Sequence, residues 1–137
     1  MERYYSKNIQ YEIEQSVKLD FTKFDTQILV HEKIDASETS KSFIFNVLKA
    51  VKLQVELNCN YYVIKENMDY KLTPGESLYK VLCFGIQPEQ IGFQIDHKKN
   101  IVIQTSEFSL IFGEFPEEYK SEQNKRLLWQ SLKLLFT

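Results

Sequence analysis

The sequence predicts an α/β fold: a three-layer α/β/α sandwich on a small, mostly parallel sheet. A ferredoxin-like α+β arrangement is the alternative. Three observations carry this expectation. Short apolar runs rich in β-branched and aromatic residues recur along the chain. Segments with helical spacing and capping residues lie between them, the alternation that favours parallel strands. The 4 glycines and 3 prolines all fall between residues 74 and 116, so the tight turns concentrate in the second half.

Residues 1–16 place Tyr5, Ile9 and Ile13 four apart, and Val17 continues the series, one stripe of an amphipathic helix. Val17, Leu19 and Phe21 then alternate, which predicts a short extended piece. QILVHEKI, 27–34, reads as a strand whose run Ile28-Leu29-Val30 suits cover on both faces. Ser37, Thr39 and Ser40 offer capping oxygens for a helix over about 39–55. Ile44, Val47, Leu48, Val51 and Val55 make its apolar face. Its end is ambiguous, because Leu53, Val55, Leu57, Cys59 and Tyr61 also alternate with period two. A strand follows at about 60–65.

TPGES, 73–77, is a turn. YKVLCFG, 79–85, has an apolar, β-favouring middle and is the clearest strand. NIVIQT, 100–105, is another. In TSEFSLIFG, 105–113, Thr105 or Ser106 can cap a short helix that Gly113 ends. Pro116 suits the opening of the last helix. There Leu128, Trp129, Leu132, Leu135 and Phe136 form a broad stripe, with Trp129 read as core. The connections 66–78 and 86–99 have room for further short helices. The expected organisation is an N-terminal arm over 1–25 and a single α/β domain over 26–137.

The bulk numbers narrow the function. A chain of 137 residues is one domain by length and buries roughly two thirds of its unfolded surface. It carries 17 basic and 19 acidic residues, with no long Lys/Arg run, so no direct nucleic-acid contact is expected. Cys59 and Cys83 lack zinc-site spacing and read as reduced core thiols. The N-terminus has no apolar signal region, and no run reaches the ~20 apolar residues of a membrane span. A cytoplasmic protein without membrane contact is expected.

Catalytic groups are sparse. The 2 histidines are His31, in strand-like sequence, and His97, in a polar turn. Neither has a Cys or Ser motif beside it. No GxxxxGK[ST] or GxGxxG loop occurs. Glu117 and Glu118 are explained by a helix N-terminus, and Glu12 and Glu14 lie in polar sequence without the burial that splits paired carboxylates. No catalytic, cofactor or metal residue is expected, and no cofactor.

GIQPEQ, 85–90, resembles the GQDPY loop of uracil-DNA glycosylases, whose layered layout matches the expected fold class. That resemblance implies an Asp beside the Pro to orient water and a His on a second loop. Here Gln87 precedes Pro88, and Gln cannot act as a general base. The second loop would fall near TSEFS, which has no His. The turn therefore reads as a corner, with an unusual nucleic-acid base hydrolase as the alternative function.

Three other stretches resemble the psi subunit of bacterial DNA polymerase III: SETSKSFIFNVLKAVKL (37–53), YKVLCFG (79–85) and residues 105–135, LLWQSL (127–132) above all. The resemblance covers about 100 of the 137 residues. It implies a non-catalytic replication accessory protein that pairs with a chi-like subunit and bridges it to the clamp loader. The family carries a loader-binding peptide at its N-terminus, with a Trp followed by a Leu-Arg-Arg-Pro-like run. Here Tyr11 stands near the Trp position and the basic-Pro run is absent. Tyr4, Tyr5, Ile9, Tyr11 and Ile13 are the candidate partner-binding residues, with cover of the chain's own core as the plainer role. A homodimer is a further possibility.

Overall fold

The computed structural model describes residues 17–19, 21, 23–73, 78–95 and 98–136. The candidate partner-binding residues Tyr4, Tyr5, Ile9, Tyr11 and Ile13 lie outside the described residues, as do the helix expected over 1–16 and His97.

The chain is a mixed α/β protein with a mostly parallel sheet. In order, the elements are β1 (Val17–Leu19), β2 (Thr26–His31), α1 (Glu32–Ala36), α2 (Glu38–Ala50), β3 (Asn60–Ile64), β4 (Tyr70–Leu72), β5 (Tyr79–Phe84), a 3-10 helix (Pro88–Ile91), β6 (Val102–Gln104), β7 (Phe108–Gly113), a second 3-10 helix (Pro116–Lys120) and α3 (Glu122–Phe136). Among the described residues five strands form the main sheet, in the order β3-β2-β5-β7-β6. The first four run parallel, and β6 is an antiparallel edge strand. Their side chains alternate between two cores. Ile28, Val30, Leu82, Phe84 and Ile111 face one side, where they meet Ile34 of α1, Ile44 and Leu48 of α2, and Leu128, Leu132 and Leu135 of α3. Leu29, Val81, Cys83, Leu110 and Phe112 face the other. Each such burial stabilises by about 1.5–3 kcal/mol, so the sheet is held from both sides.

Both long helices thus pack on one face. Among the described residues the second face is covered by a two-stranded parallel sheet of β1 and β4, by the first 3-10 helix and by loops. Leu19 of β1 and the adjacent Phe21 are buried there, and Tyr79 donates its hydroxyl proton to the Phe21 carbonyl at 2.7 Å. This part of the 1–25 stretch is built into the body, in the extended form its alternation predicts.

The strands expected at 27–34, 60–65 and 79–85 are found close to those limits. The first ends early, because His31 turns the chain into α1: its Nδ1 accepts a hydrogen bond from Lys33 N at 3.0 Å. α2 starts where its cap predicts, with Ser37 Oγ accepting from Ser40 N at 3.3 Å. It ends at Ala50, short of the expected 55. Lys52 takes φ 63°, and the amides of Lys52 and Leu53 return to the carbonyls of Lys49 and Leu48. This is a Schellman-type stop with lysine in the place usually held by glycine.

The expected short helix over 105–113 is corrected to a turn and a strand. Phe108–Gly113 is β7, buried at all six positions between β5 and β6. Six consecutive buried residues satisfy a strand covered on both faces, whereas a surface helix buries one stripe. The Thr105 hydroxyl does cap, but it caps the β6–β7 hairpin: its Oγ1 accepts from Phe108 N at 3.0 Å, and Thr105 N donates to Phe108 O at 2.8 Å. Gly113 is no helix stop. A Cβ there would lie 2.9 Å from the Phe84 ring and 3.0 Å from the Cys83 carbonyl oxygen.

Pro116 opens the second 3-10 helix, and α3 follows after it. Ser121 begins α3 by accepting Asn124 N at 3.3 Å. The buried stripe of α3 is Leu128, Ser131, Leu132 and Leu135. Ser131 holds a core position because its hydroxyl donates to the Asn100 carbonyl at 2.6 Å. The Asn100 side chain in turn binds Tyr119 OH and Glu114 Oε2, tying the segment before β6 to the end of β7.

Candidate interaction groove

Two places in this fold could carry function. The first is the carboxyl edge of the parallel strands. In open α/β sheets ligands bind there, at the point where successive connections leave for opposite faces. Here that point lies between β2 and β5: the chain leaves β2 towards the helical face and β5 towards the other. His31 ends β2, and Gly85 follows β5 with φ 75°. The crevice between them is occupied by protein. The Phe115 ring meets the His31 ring edge-on at 5.2 Å. A Cβ built on Gly85 would lie 3.0 Å from the tip of Phe115 and 3.2 Å from His31 Cβ.

His31 is buried, with Nδ1 committed to Lys33 N and Nε2 3.6 Å from Glu66 Oε1. A hydrogen-bonded Nδ1 acceptor places the imidazole proton on Nε2, facing that carboxylate. Glu66 is also 3.8 Å from Lys33 Nζ. The turn at 85–92 packs inwards: Ile86, Pro88 and Ile91 are buried. Gln90 Nε2 donates to the Lys65 carbonyl at 2.8 Å, bracing the loop after β3. Gln87, which stands at the glycosylase Asp position, is exposed.

The thiols offer no nucleophile. Cys59 and Cys83 are free and buried, as expected of core thiols. Burial pushes Cys59 up to about 11, and it raises Cys83 further still. Burial also raises the phenol of Tyr119, and that of Tyr61, whose hydroxyl donates to Asp35 Oδ1 at 2.8 Å. Among the described residues every buried side-chain N or O has a hydrogen-bond partner, and no group of three or more His, Cys, Asp or Glu could hold a metal ion. No helix among them is long and apolar enough to cross a membrane.

The second place is a groove on the helical layer. α2 and α3 are spaced apart by the 116–120 turn, which touches both. Tyr119 of that turn stacks on Phe43 of α2 at 5.4 Å and 13°. Phe43 and Val47 form one wall, and Leu128, Trp129 and Leu132 of α3 the other. The groove has a volume of about 340 Å³ and is open to solvent, with Glu122, Lys125 and Arg126 at its margin.

Trp129 is the difference from the sequence expectation. It is 39% exposed, not core. Leu128 and Leu132 lie on the sheet-facing side of α3, and one residue further round the helix turns Trp129 out to the groove rim. Lys133, one turn on, holds its Nζ 5.7 Å from the Trp129 ring centre. Sequence reading missed the groove because its walls come from helices about 80 residues apart. The only local signal was an aromatic at the edge of a leucine stripe.

A second open hollow, of about 390 Å³, flanks α2 on its other side, lined by Phe45, Leu48, Leu53 and Val55 with Lys49 and Gln54. Phe45 is 39% exposed beside Tyr61 of the edge strand β3. No protein-family model, no curated protein and no solved structure matches the chain, so a functional reading rests on the geometry of these places.

Proposed function

We propose that the chain is a non-catalytic interaction subunit of the psi type, working in the bacterial cytoplasm as a bridge between DNA-replication proteins. Its partners on this reading are a chi-like subunit and the clamp loader, with no direct contact to nucleic acid. The observation that carries the proposal is the open apolar groove between α2 and α3, with Trp129 on its rim. Large aromatic side chains held half-exposed beside a concave apolar surface are the usual anchors of protein interfaces. LLWQSL, the stretch most similar to psi proteins, supplies Leu128, Trp129 and Leu132 to that groove.

The filled crevice supports the same reading from the other direction. Phe115 fills the crevice between Gly85 and His31, and both thiols are buried, with burial raising their pKa. A base hydrolase has less support, because the 85–92 turn is packed into the core through Ile86, Pro88 and Ile91. The three-layer α/β/α layout belongs to the proposal as well. The arm residues Tyr4, Tyr5, Ile9, Tyr11 and Ile13 remain the proposed loader-side contact.

Affinity purification of the tagged protein from its native cells tests the proposal. The expected result is recovery of a chi-like subunit and clamp-loader proteins, with the chi-like subunit lost in Val47→Glu and the clamp-loader proteins kept. Recovery of no replication protein, or release of uracil from uracil-containing DNA by the pure chain, would overturn it.

A further inference from the structure

The groove has a charge as well as a shape. α2 and α3 together carry five basic residues, Lys41, Lys49, Lys125, Arg126 and Lys133, and two acidic ones, Glu38 and Glu122. The chain as a whole has the opposite balance, with a net charge of −2. The excess belongs to the α3 rim of the groove, where Lys125, Arg126 and Lys133 stand against Glu122. α1 and the 116–120 turn add Glu32, Asp35, Glu117 and Glu118 against Lys33 and Lys120, and Lys41 pairs with Asp35 at 3.2 Å, so the rest of the helical layer is close to neutral. The basic groups also stand close to the apolar walls: Lys125 and Arg126 line the groove, and Lys133 lies over Trp129. Glu122, the acidic group at the margin, lies 3.6 Å from Lys125, which leaves Arg126 on the same rim as the cation facing outward.

We infer that the groove receives an amphipathic helix whose apolar ridge is flanked by Asp and Glu. This rests on the groove being a docking surface, and it adds the chemistry of the occupant. Shape and charge both enter the argument. Two helices held apart by the Tyr119 turn leave a trough that runs between side-chain ridges, Phe43 with Val47 on one wall and Lys125 with Trp129 on the other. A third helix fits such a trough by setting its own i, i+4 ridge into it. Its apolar side chains displace water from Phe43, Val47 and Trp129, which supplies affinity. Its carboxylates then meet Arg126 and Lys133, which fixes orientation and speeds encounter. A nucleic acid would find too few cations, because the lining is mainly apolar. A flat anionic membrane would not enter a concave wall.

The test uses the full chain. A random helical-peptide display library is selected against it, with the Val47→Glu variant as counter-selection. The best binder is then made without Trp, so that Trp129, the 1 tryptophan of the chain, reports docking by its emission. The expected binders carry Leu, Ile or Phe at i, i+4 and i+7 with an excess of Asp and Glu beside them. The peptide should shift Trp129 emission to shorter wavelength, and Arg126→Glu with Lys133→Glu should weaken it at least ~10-fold. Both substituted positions are exposed, and an unchanged urea midpoint checks that the variant is folded.

Groove-dependent binders that are neutral or basic would overturn the inference while leaving the groove as a docking surface. Absence of any Val47-dependent binder would overturn the inference and the docking surface together. Tighter Trp129-monitored binding of a single-stranded oligonucleotide, or of vesicles of equimolar phosphatidylglycerol and phosphatidylcholine, than of the acidic peptide would overturn it in favour of that ligand.

Discussion

Gly85 and Phe115 are fitted to one another across the carboxyl edge of the sheet. A Cβ on the glycine would stand 3.0 Å from the tip of the phenyl ring, and the glycine's φ of 75° is one that L side chains rarely adopt. The contact closes the crevice that this strand order would otherwise open between β2 and β5.

The pair predicts a coupling. Gly85→Ala should cost about 1–2 kcal/mol for the left-handed backbone, and about 1–3 kcal/mol more for overpacking against Phe115. In a Phe115→Ala background the ring is gone and most of the second cost with it. The double variant should therefore be more stable than the sum of the single losses predicts, by about 1–3 kcal/mol. Urea unfolding of the four proteins checks this. Strict additivity would mean that ring and glycine do not compete for the same space.

Lys52 gives the opposite case, a position where glycine is missing. It stops α2 at φ 63°, a conformation that costs a non-glycine residue about 1–2 kcal/mol. Glycine removes that strain at an entropic cost of about 0.5–1 kcal/mol. Lys52→Gly should raise stability by up to about 1.5 kcal/mol, seen as a higher urea midpoint at unchanged slope. A lower midpoint would mean that the lysine side chain contributes more than its backbone strain.

The same residue explains one failure of sequence reading. With no glycine to mark the stop, the Val51 and Val55 periodicity carried the expected helix past its end at Ala50. Thr105 explains another. A hydroxyl ahead of an apolar run caps a helix or a hairpin turn equally well, and only the pairing of Phe108–Gly113 with β5 decides between them. Where burial is two-sided and strands run parallel, as at Tyr79–Phe84, composition alone was enough. Where function is concerned, the signal was thinnest. Phe43, Val47 and Trp129 come from separate helices, and Phe115 and Gly85 from separate strand ends, so their meeting depends on topology that no local pattern encodes.

The buried thiols predict a pH response. Cys59 is raised from an ordinary 9.0 to about 11, and Cys83 is raised as well, both by burial. The native protein therefore holds protons that the unfolded chain releases. Their contribution to stability is fully present below about pH 9 and is lost as pH rises above it. Cys59→Ala should make the decline between pH 9 and 11 shallower by about 1.4 kcal/mol per pH unit. In the native protein neither thiol should react with a disulfide reagent at pH 8, and both should react in urea. Fast native labelling would contradict the burial of both groups.

Trp129 and Leu135 share α3 and divide its two tasks, which allows stability and association to be separated. Leu135 is 8% exposed and packs into the core beneath the helix, away from the groove. Leu135→Ala should cost about 2–4 kcal/mol of stability. Trp129 is partly solvent-exposed at the groove rim, so Trp129→Ser should cost less, about 1–2 kcal/mol. For association the order should reverse. Trp129→Ser removes an anchor, and capture of the partner should fall at least ~10-fold. Leu135→Ala leaves the groove lining intact, so its folded fraction should bind as the parent does. Chemical denaturation gives the first ranking, and partner capture per folded molecule gives the second. If both rankings run in the same direction, association only reports on folding, and the groove has no binding role of its own.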